Sequence, residues 1–406
     1  MKAYCEAYGC TMNKGEAEQM MDLLYTQGYE PTQNPEEADL IVLATCIVIQ
    51  TTEQRMINRL EELSRYGKEM IVTGCMASAL PEKVTEISSR ARIIPAGELD
   101  RIGGEWGEKL AFHRVAGTVP IAQGCTGHCT YCITKLARGE IRSYDEDRLV
   151  DMARRYIEAG RKEIRITAQD TASYGVDTGT DLPALVKKVA ALDGDFMVRV
   201  GMMSPRSLRP ILSRMLEAYR EEKVFRFIHL PVQSGSDSVL KRMNRGYTAA
   251  EYEEMVEEIR EKIPDMTIST DIIVGFPGET EEDFEMSMDL VRRTEPDIIN
   301  VTRFSKRPGT PAARMKQVPT QVSKERSRAM SDLRFAIARK KNAQYVGKRV
   351  RVLTLERGGK GSVIGRTHNY RQVILPEETP IGIWLSAKIT GSTGVDLRGE
   401  VTEVYS

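Results

Sequence analysis

Residues 119–303 alternate between short β-rich runs and helical runs, which confines this stretch to a parallel α/β architecture. The β-rich runs are 119–122, 163–167, 196–200, 225–230, 267–274 and 298–303. Between them lie amphipathic helices. Leu149, Met152, Ala153, Tyr156 and Ile157 keep the spacing of one apolar helix face. Six strands are too few for a full eight-fold barrel, so the pattern predicts a (βα)6 partial TIM barrel, open at one side. Ligands of such barrels gather at the C-terminal strand ends. Gln169 and Asp170, then Arg199, then Gln233, Ser234 and Gly235, then the Gly275–Glu279 turn, all fall there. Singly each reads as a turn or a solvated residue. Their shared rim makes Gln169, Arg199 and Gln233 candidate cofactor contacts.

Within this stretch, Cys125, Cys129 and Cys132 form a Cys-x3-Cys-x2-Cys run. A four-iron–four-sulfur (4Fe–4S) cluster normally takes four cysteines. Three leave one iron with an open site for a small molecule. A zinc site would call for a second ligand pair, and none follows. The spacing, with Tyr131 before the last cysteine, resembles that of radical S-adenosylmethionine (SAM) enzymes. That resemblance implies that the free iron chelates SAM.

The first hundred residues read as a second parallel α/β sheet, with strands at 2–8, 40–44 and 70–73 and helices near 15–27, 51–66 and 81–88. Cys10, Cys46 and Cys75 each sit just past a strand's C-terminal end, the binding edge of an open α/β sheet. They are expected to converge as a second three-cysteine metal site. Cys5 falls inside the first strand and reads as a small apolar packing residue. Seven cysteines in 406 residues is no disulfide scaffold. Without a signal-peptide shape or a membrane-length apolar run, the expectation is a soluble, cytoplasmic protein with no membrane partner.

The tail repeats a third pattern. Residues 322–345 read as a basic helix, and 349–355, 362–365, 371–375, 383–390 and 396–404 as five short strands. Such spacing suits a small antiparallel barrel of the oligonucleotide-binding kind. The whole chain is neutral, with 58 Lys and Arg against 58 Asp and Glu. From Lys341 to Ser406 ten basic residues face six acidic ones, an excess of four, which points to a polyanion. Tyr345, Tyr370 and Trp384 either stack on bases or fill the small barrel's core.

These three parts, in this order, resemble the radical SAM methylthiotransferases. The matching strings are Tyr8-Gly-Cys-Thr-Met-Asn13, Thr45-Cys46, Thr73-Gly-Cys-Met-Ala77, the 124–132 run, His229-Leu-Pro-Val-Gln-Ser-Gly-Ser-Asp237, Thr270-Asp-Ile-Ile-Val-Gly-Phe-Pro-Gly-Glu279 and Arg307-Pro-Gly-Thr-Pro311. The resemblance implies three domains: 1–112, flavodoxin-like with an auxiliary cluster; 113–343, the radical SAM domain; and 344–406, an RNA-binding TRAM domain. Residues 131–139 and 200–205 look like the archaeal and eukaryotic group, which modifies N6-threonylcarbamoyladenosine at position 37 of tRNA. Related groups act on isopentenyladenosine in tRNA or on a ribosomal-protein aspartate. A non-catalytic iron–sulfur RNA-binding protein is the reading from a different class.

The family chemistry implies two 4Fe–4S clusters and SAM. On that reading the 125–129–132 cluster would reduce SAM, and the resulting 5′-deoxyadenosyl radical would take hydrogen from carbon 2 of the adenine. The 10–46–75 cluster holds the sulfur that a second SAM methylates. Implied partners are the tRNA anticodon loop, a reductant such as flavodoxin or ferredoxin, and a sulfur donor. A position-37 base is unpaired and can enter a site without opening a duplex. The threonyl carboxylate would seek a cation at the rim, with Arg138, Arg199 and Arg206 as unranked candidates.

Overall fold

The computed structural model describes residues 1–99, 110–112 and 114–405. Residue 113, where the second domain is expected to begin, and Ser406, where the third ends, lie outside the described residues. The N-terminal sheet has strands β1 (Lys2–Ala7), β2 (Glu30–Thr32), β3 (Leu40–Thr45), β4 (Glu69–Gly74) and β5 (Ala91–Ile93). All its pairs are parallel, in the order β2-β1-β3-β4-β5. This is the flavodoxin-like order, whose switch point lies between β1 and β3. Every residue of β3 is buried, as a central strand covered on both faces requires.

Six further strands build the partial barrel: β6 (Ala116–Pro120), β7 (Glu163–Thr167), β8 (Met197–Val200), β9 (Phe227–His229), β10 (Thr267–Val274) and β11 (Ile298–Arg303). β6, β7 and β8 pair in parallel, as do β9, β10 and β11. Single bridges, Val198 to Val224 and Met202 to His229, join the halves. β6 and β11 are thus the two edges of the opening. The first barrel strand ends at Pro120, two residues earlier than expected, although the Ile121 N–H still donates to the Thr167 carbonyl at 2.9 Å. Ala122–Gln123 instead pairs with Arg142–Ser143. In helix Glu146–Glu158, Asp145 caps the first turn by accepting from the Arg148 N–H at 3.0 Å. Its Leu149, Met152, Ala153 and Tyr156 are buried, as their spacing predicts.

The N-terminal unit leans on both edges of the opening. Gly15, in helix Thr11–Thr26, packs so closely on β6 that an added Cβ would stand 2.5 Å from Thr118 Cγ2. Past β11, Arg307 donates to the Ile47 carbonyl at 2.9 Å and pairs with Glu53 at 2.5 Å.

Helix Thr320–Ala343 leads to the tail, whose strands are β12 (Arg349–Arg357), β13 (Val363–Thr367), β14 (Gln372–Leu375), β15 (Trp384–Ser392) and β16 (Leu397–Val404). They close into a barrel in the order β12-β13-β14-β16-β15. The expected all-antiparallel pairing is corrected at one seam, since β14 and β16 run parallel with Val373 opposite Leu397. An odd number of strands cannot alternate direction all the way round a closed ring. The tail seals the N-terminal mouth of the large barrel. Tyr370 donates to Glu163 at 2.6 Å, and Trp384 donates to Asp195 at 3.0 Å. The Arg226 N–H donates to the His368 carbonyl at 3.0 Å. Tyr370 and Trp384 are buried in one apolar cluster with Phe225 and Phe227. Burial removes both from base stacking, and Tyr345 accepts from Asn369 at 2.7 Å. No helix among the described residues is long and apolar enough to cross a membrane.

Candidate functional site

One cavity of about 540 Å³ opens at the C-terminal strand ends, and all six candidate ligand cysteines line it: Cys10, Cys46 and Cys75 from the N-terminal sheet, and Cys125, Cys129 and Cys132 from the barrel. The two sets meet because the N-terminal unit covers the barrel's open side.

Backbone conformation presents these thiols. Cys10 caps the 16-residue helix Thr11–Thr26, Cys75 opens helix Cys75–Ala79, and Cys132 caps helix Ile133–Arg138. Gly9, with φ +95°, brings the backbone against Cys46, where an added Cβ would stand 2.8 Å from Cys46 Sγ. Gly127 leaves a hollow between two sulfurs. A Cβ there would lie 3.3 Å from Cys125 Sγ and 3.8 Å from Cys129 Sγ. Burial pushes the Cys75 thiol up to about 11. Burial, then the neighbouring Asp170 carboxylate, pushes Cys125 up to about 12. Burial also raises Cys46 and Cys132. Metal loading at these positions must therefore release protons. Among the described residues no three ligating side chains close round a single ion. A cubane binds each thiolate to a different iron, so its triad need not do so. Cys5 lies in β1 against the sheet's apolar core, and burial raises its thiol to about 12.

Gln169, Arg199 and Gln233 all line the same cavity. Each has a buried polar atom without a partner among the described residues: Gln169 Oε1, Arg199 Nε and Gln233 Oε1. Unpaired buried polar atoms are costly, and three around one cavity fit a polar ligand. Gln233 also holds a left-handed backbone, φ +75°, a strain that clusters at functional sites. Asp170 is committed to structure. It accepts from the Ser204 N–H at 3.0 Å and from Ser173 and Ser207 hydroxyls at 2.8 and 2.7 Å.

The Gly275–Glu279 turn is a correction. A Cβ on Gly275 would strike Ser323 of the linking helix at 2.2 Å, so its close approach serves packing rather than a ligand. Glu279 accepts from the Gly275 N–H at 2.6 Å and pairs with Arg326 at 2.7 Å. Arg138 is also committed. Its guanidinium, fully buried, is forked on Glu16 at 2.6 and 2.7 Å.

Sequence reasoning missed a polar relay on the cavity wall. His229 Nε2 lies 2.8 Å from Asp271 Oδ1, and Asn300 donates to the same oxygen at 2.8 Å. Burial opposes ionisation of Asp271, but the hydrogen bonds from His229 and Asn300 outweigh it and hold the carboxyl below its usual range. His229 and Asp271 also line an adjoining compartment of about 340 Å³ with Val48, Ile133, Ile273 and Phe304. His229 closes β9 and Gln233 follows four residues later, so a shared strand end was the available signal.

Three family models match the chain. They are the radical SAM superfamily over 119–291, the uncharacterized protein family UPF0004 over 2–95, and the TRAM domain over 343–402. A probable threonylcarbamoyladenosine tRNA methylthiotransferase of Pyrococcus abyssi is 42% identical over 99% of both chains. The chain belongs to the threonylcarbamoyladenosine tRNA methylthiotransferase family. A methylthiotransferase of the same name from Homo sapiens is 34% identical over 93% of this chain and 69% of its own. Among solved structures, the radical SAM methyltransferase TsrM of Kitasatospora setae shares the fold at TM-score 0.58 and 12% identity, covering 77% of each chain. As a radical SAM methylthiotransferase, this enzyme uses iron–sulfur chemistry and SAM. The cavity suits both, with six thiols and the unpaired amide oxygens of Gln169 and Gln233 in its lining.

Proposed function

We propose that the enzyme methylthiolates carbon 2 of N6-threonylcarbamoyladenosine at position 37 of tRNA, with 4Fe–4S clusters on both cysteine triads. The observation that carries this is the convergence of six cysteines from two sheets on one cavity. The clusters and SAM supply the radical that removes the C2 hydrogen and the sulfur that replaces it.

The chain's own residues bind, orient and exclude water. Cys125, Cys129 and Cys132 hold one cluster, and Cys10, Cys46 and Cys75 the other. Gln169 and Gln233 offer their unpaired amide oxygens to SAM, and Arg199 lines the same cavity. The base enters beside His229 and Asp271 from the apolar compartment. Of the three candidate cations for the threonyl carboxylate, Arg138 is taken by Glu16. Arg199 lies over the Phe227 and Tyr370 rings at 5.1 and 5.5 Å. Arg206 is exposed on the cavity lining and best placed to meet a carboxylate.

A macromolecular substrate follows from the layout. The tail barrel sits at the opposite mouth, a strand length of roughly 20 Å from the cavity. Its outer face carries Arg349 directly opposite Lys388, a like-charge pair that an anionic backbone would relieve. The domain division is 1–112, 113–343 and 344–406. The setting is the cytoplasm, and a flavodoxin- or ferredoxin-type reductant and a separate sulfur donor complete the system. The test is methylthio product from three purified tRNAs bearing threonylcarbamoyl, isopentenyl or unmodified adenosine. A pocket built for polar handles rejects analogues without them by about 10⁴-fold. Product from the threonylcarbamoyl tRNA alone supports the reading. Preferred turnover of the isopentenyl tRNA, or of a ribosomal protein, overturns the substrate.

A further inference from the structure

Each cysteine triad receives one buried guanidinium on a ligand sulfur. Arg138 Nε donates to Cys75 Sγ at 3.4 Å, and Arg245 Nη1 donates to Cys129 Sγ at 3.1 Å. Both arginines are under a tenth exposed, at 7% and 9%.

What balances their charges differs. Arg138 is forked on both oxygens of Glu16, itself buried, so the charge reaching Cys75 is offset locally. Its remaining donors go to Asn13 at 2.7 Å and Gln123 at 2.6 Å, both neutral. Among the described residues Arg245 has only neutral partners besides the sulfur. Its Nε donates to the Tyr247 hydroxyl at 2.8 Å, and its Nη2 to the Pro231 carbonyl at 3.1 Å. Among the described residues no carboxylate forms an ion pair with it, and Asp170 and Asp271 feel its charge only at longer range. A buried, unpaired guanidinium is costly unless an anion joins it. A cluster held by three thiolates is such an anion.

Reduction adds one negative charge to a cluster. A fixed positive charge and an N–H donor at a ligand sulfur favour the reduced form, most strongly where water is excluded. We propose that Arg245 biases one-electron reduction toward the 125–129–132 cluster, while Glu16 weakens the matching influence of Arg138 on the 10–46–75 cluster. This rests on both triads holding clusters. The electron comes from a low-potential one-electron donor, and no bond is made or broken. Arg245 is a positioning residue in this scheme. It steers the electron to the cluster that meets SAM and away from the one that holds sulfur.

The experiment isolates each cluster in the full-length chain. Replacing Cys10, Cys46 and Cys75 by Ala leaves one cluster, and replacing Cys125, Cys129 and Cys132 leaves the other. After anaerobic reconstitution, dithionite titration followed by electron paramagnetic resonance gives each midpoint. In the first background Arg245→Gln lowers the midpoint at unchanged iron, and Arg245→Lys, which keeps the charge, stays nearer the parent. In the second background Glu16→Gln raises the midpoint. An unchanged or higher midpoint in Arg245→Gln overturns the proposal, as does loss of iron in both Arg245 variants, which would make it a mere clamp. A midpoint that fails to rise in Glu16→Gln, or loss of its iron, overturns the claim for Arg138 and leaves Arg245 to its own arm. If either background holds no iron before these changes, the cluster assignment itself has failed.

Discussion

Gly9→Ala is the sharpest test of how backbone builds the site. Gly9 has φ +95°, where an L side chain costs about 1–2 kcal/mol. The added methyl would stand 2.7 Å from Cys46 Cβ, 2.8 Å from its Sγ and 3.2 Å from Asn13 Nδ2. Overpacking a filled site costs about 1–3 kcal/mol more. Together about 2–5 kcal/mol disfavours the arrangement of Cys10 beside Cys46, a factor of about 30 to 5,000 at 1.36 kcal/mol per tenfold. The expected result is iron falling from about eight to about four per chain. SAM cleavage on the other triad should persist. The control is Gly28→Ala. Gly28 has a similar φ of +90° but nothing within 4 Å of an added Cβ, so it carries the strain without the clash. Iron analysis and electron paramagnetic resonance of both variants are the assay. Full iron in Gly9→Ala, or equal loss in Gly28→Ala, would refute the steric argument.

Three further outcomes are expected. Tyr370→Phe leaves fully buried Glu163 with Arg165 as its one remaining side-chain hydrogen-bond donor among the described residues, and should lower unfolding free energy by about 2 kcal/mol in urea; no change would refute the anchoring role. Charge reversal at Arg349 and Lys388 should weaken tRNA binding and flatten its dependence on salt by roughly two phosphate contacts, with SAM cleavage intact. This is cleaner than deleting 344–406, which would also strip the cover from Phe225 and Phe227. Arg206→Gln should raise KM for threonylcarbamoyl tRNA by about 10- to 100-fold, a charged hydrogen bond's worth, while SAM cleavage without tRNA stays normal; unchanged KM would remove Arg206 from the carboxylate subsite.

Elements dominated by local pattern were legible in the sequence. β7, β10 and β11 fall at 163–167, 267–274 and 298–303 as read, because each is a β-rich run between turn signals. β2 and β5 were not, since three-residue edge strands show no alternation. Helix Thr11–Thr26 begins four residues before the expected start, because its first turn carries Asn13 and Lys14 rather than an apolar stripe. That six cysteines and Gln169, Arg199 and Gln233 gather round one cavity was readable from their positions past strand ends or near them. The arginines around the sulfurs were not. Glu16 lies 122 residues from Arg138, and Cys129 lies 116 from Arg245, so no local pattern announces either contact. Gly275 shows the converse error. A Gly-rich turn at the rim looks like a ligand loop, yet Ser323 fills the space.

The account stands most directly on two separable triads facing one cavity. Wild type and three variants should be reconstituted anaerobically and compared for iron and for SAM cleavage to 5′-deoxyadenosine. Wild type should hold about eight irons. Replacing Cys125, Cys129 and Cys132 by Ala should halve the iron and abolish cleavage. Replacing Cys10, Cys46 and Cys75 should halve the iron and leave cleavage. Cys5→Ala should change neither. Iron loss in Cys5→Ala, or cleavage surviving without the 125–129–132 set, would contradict the central claim.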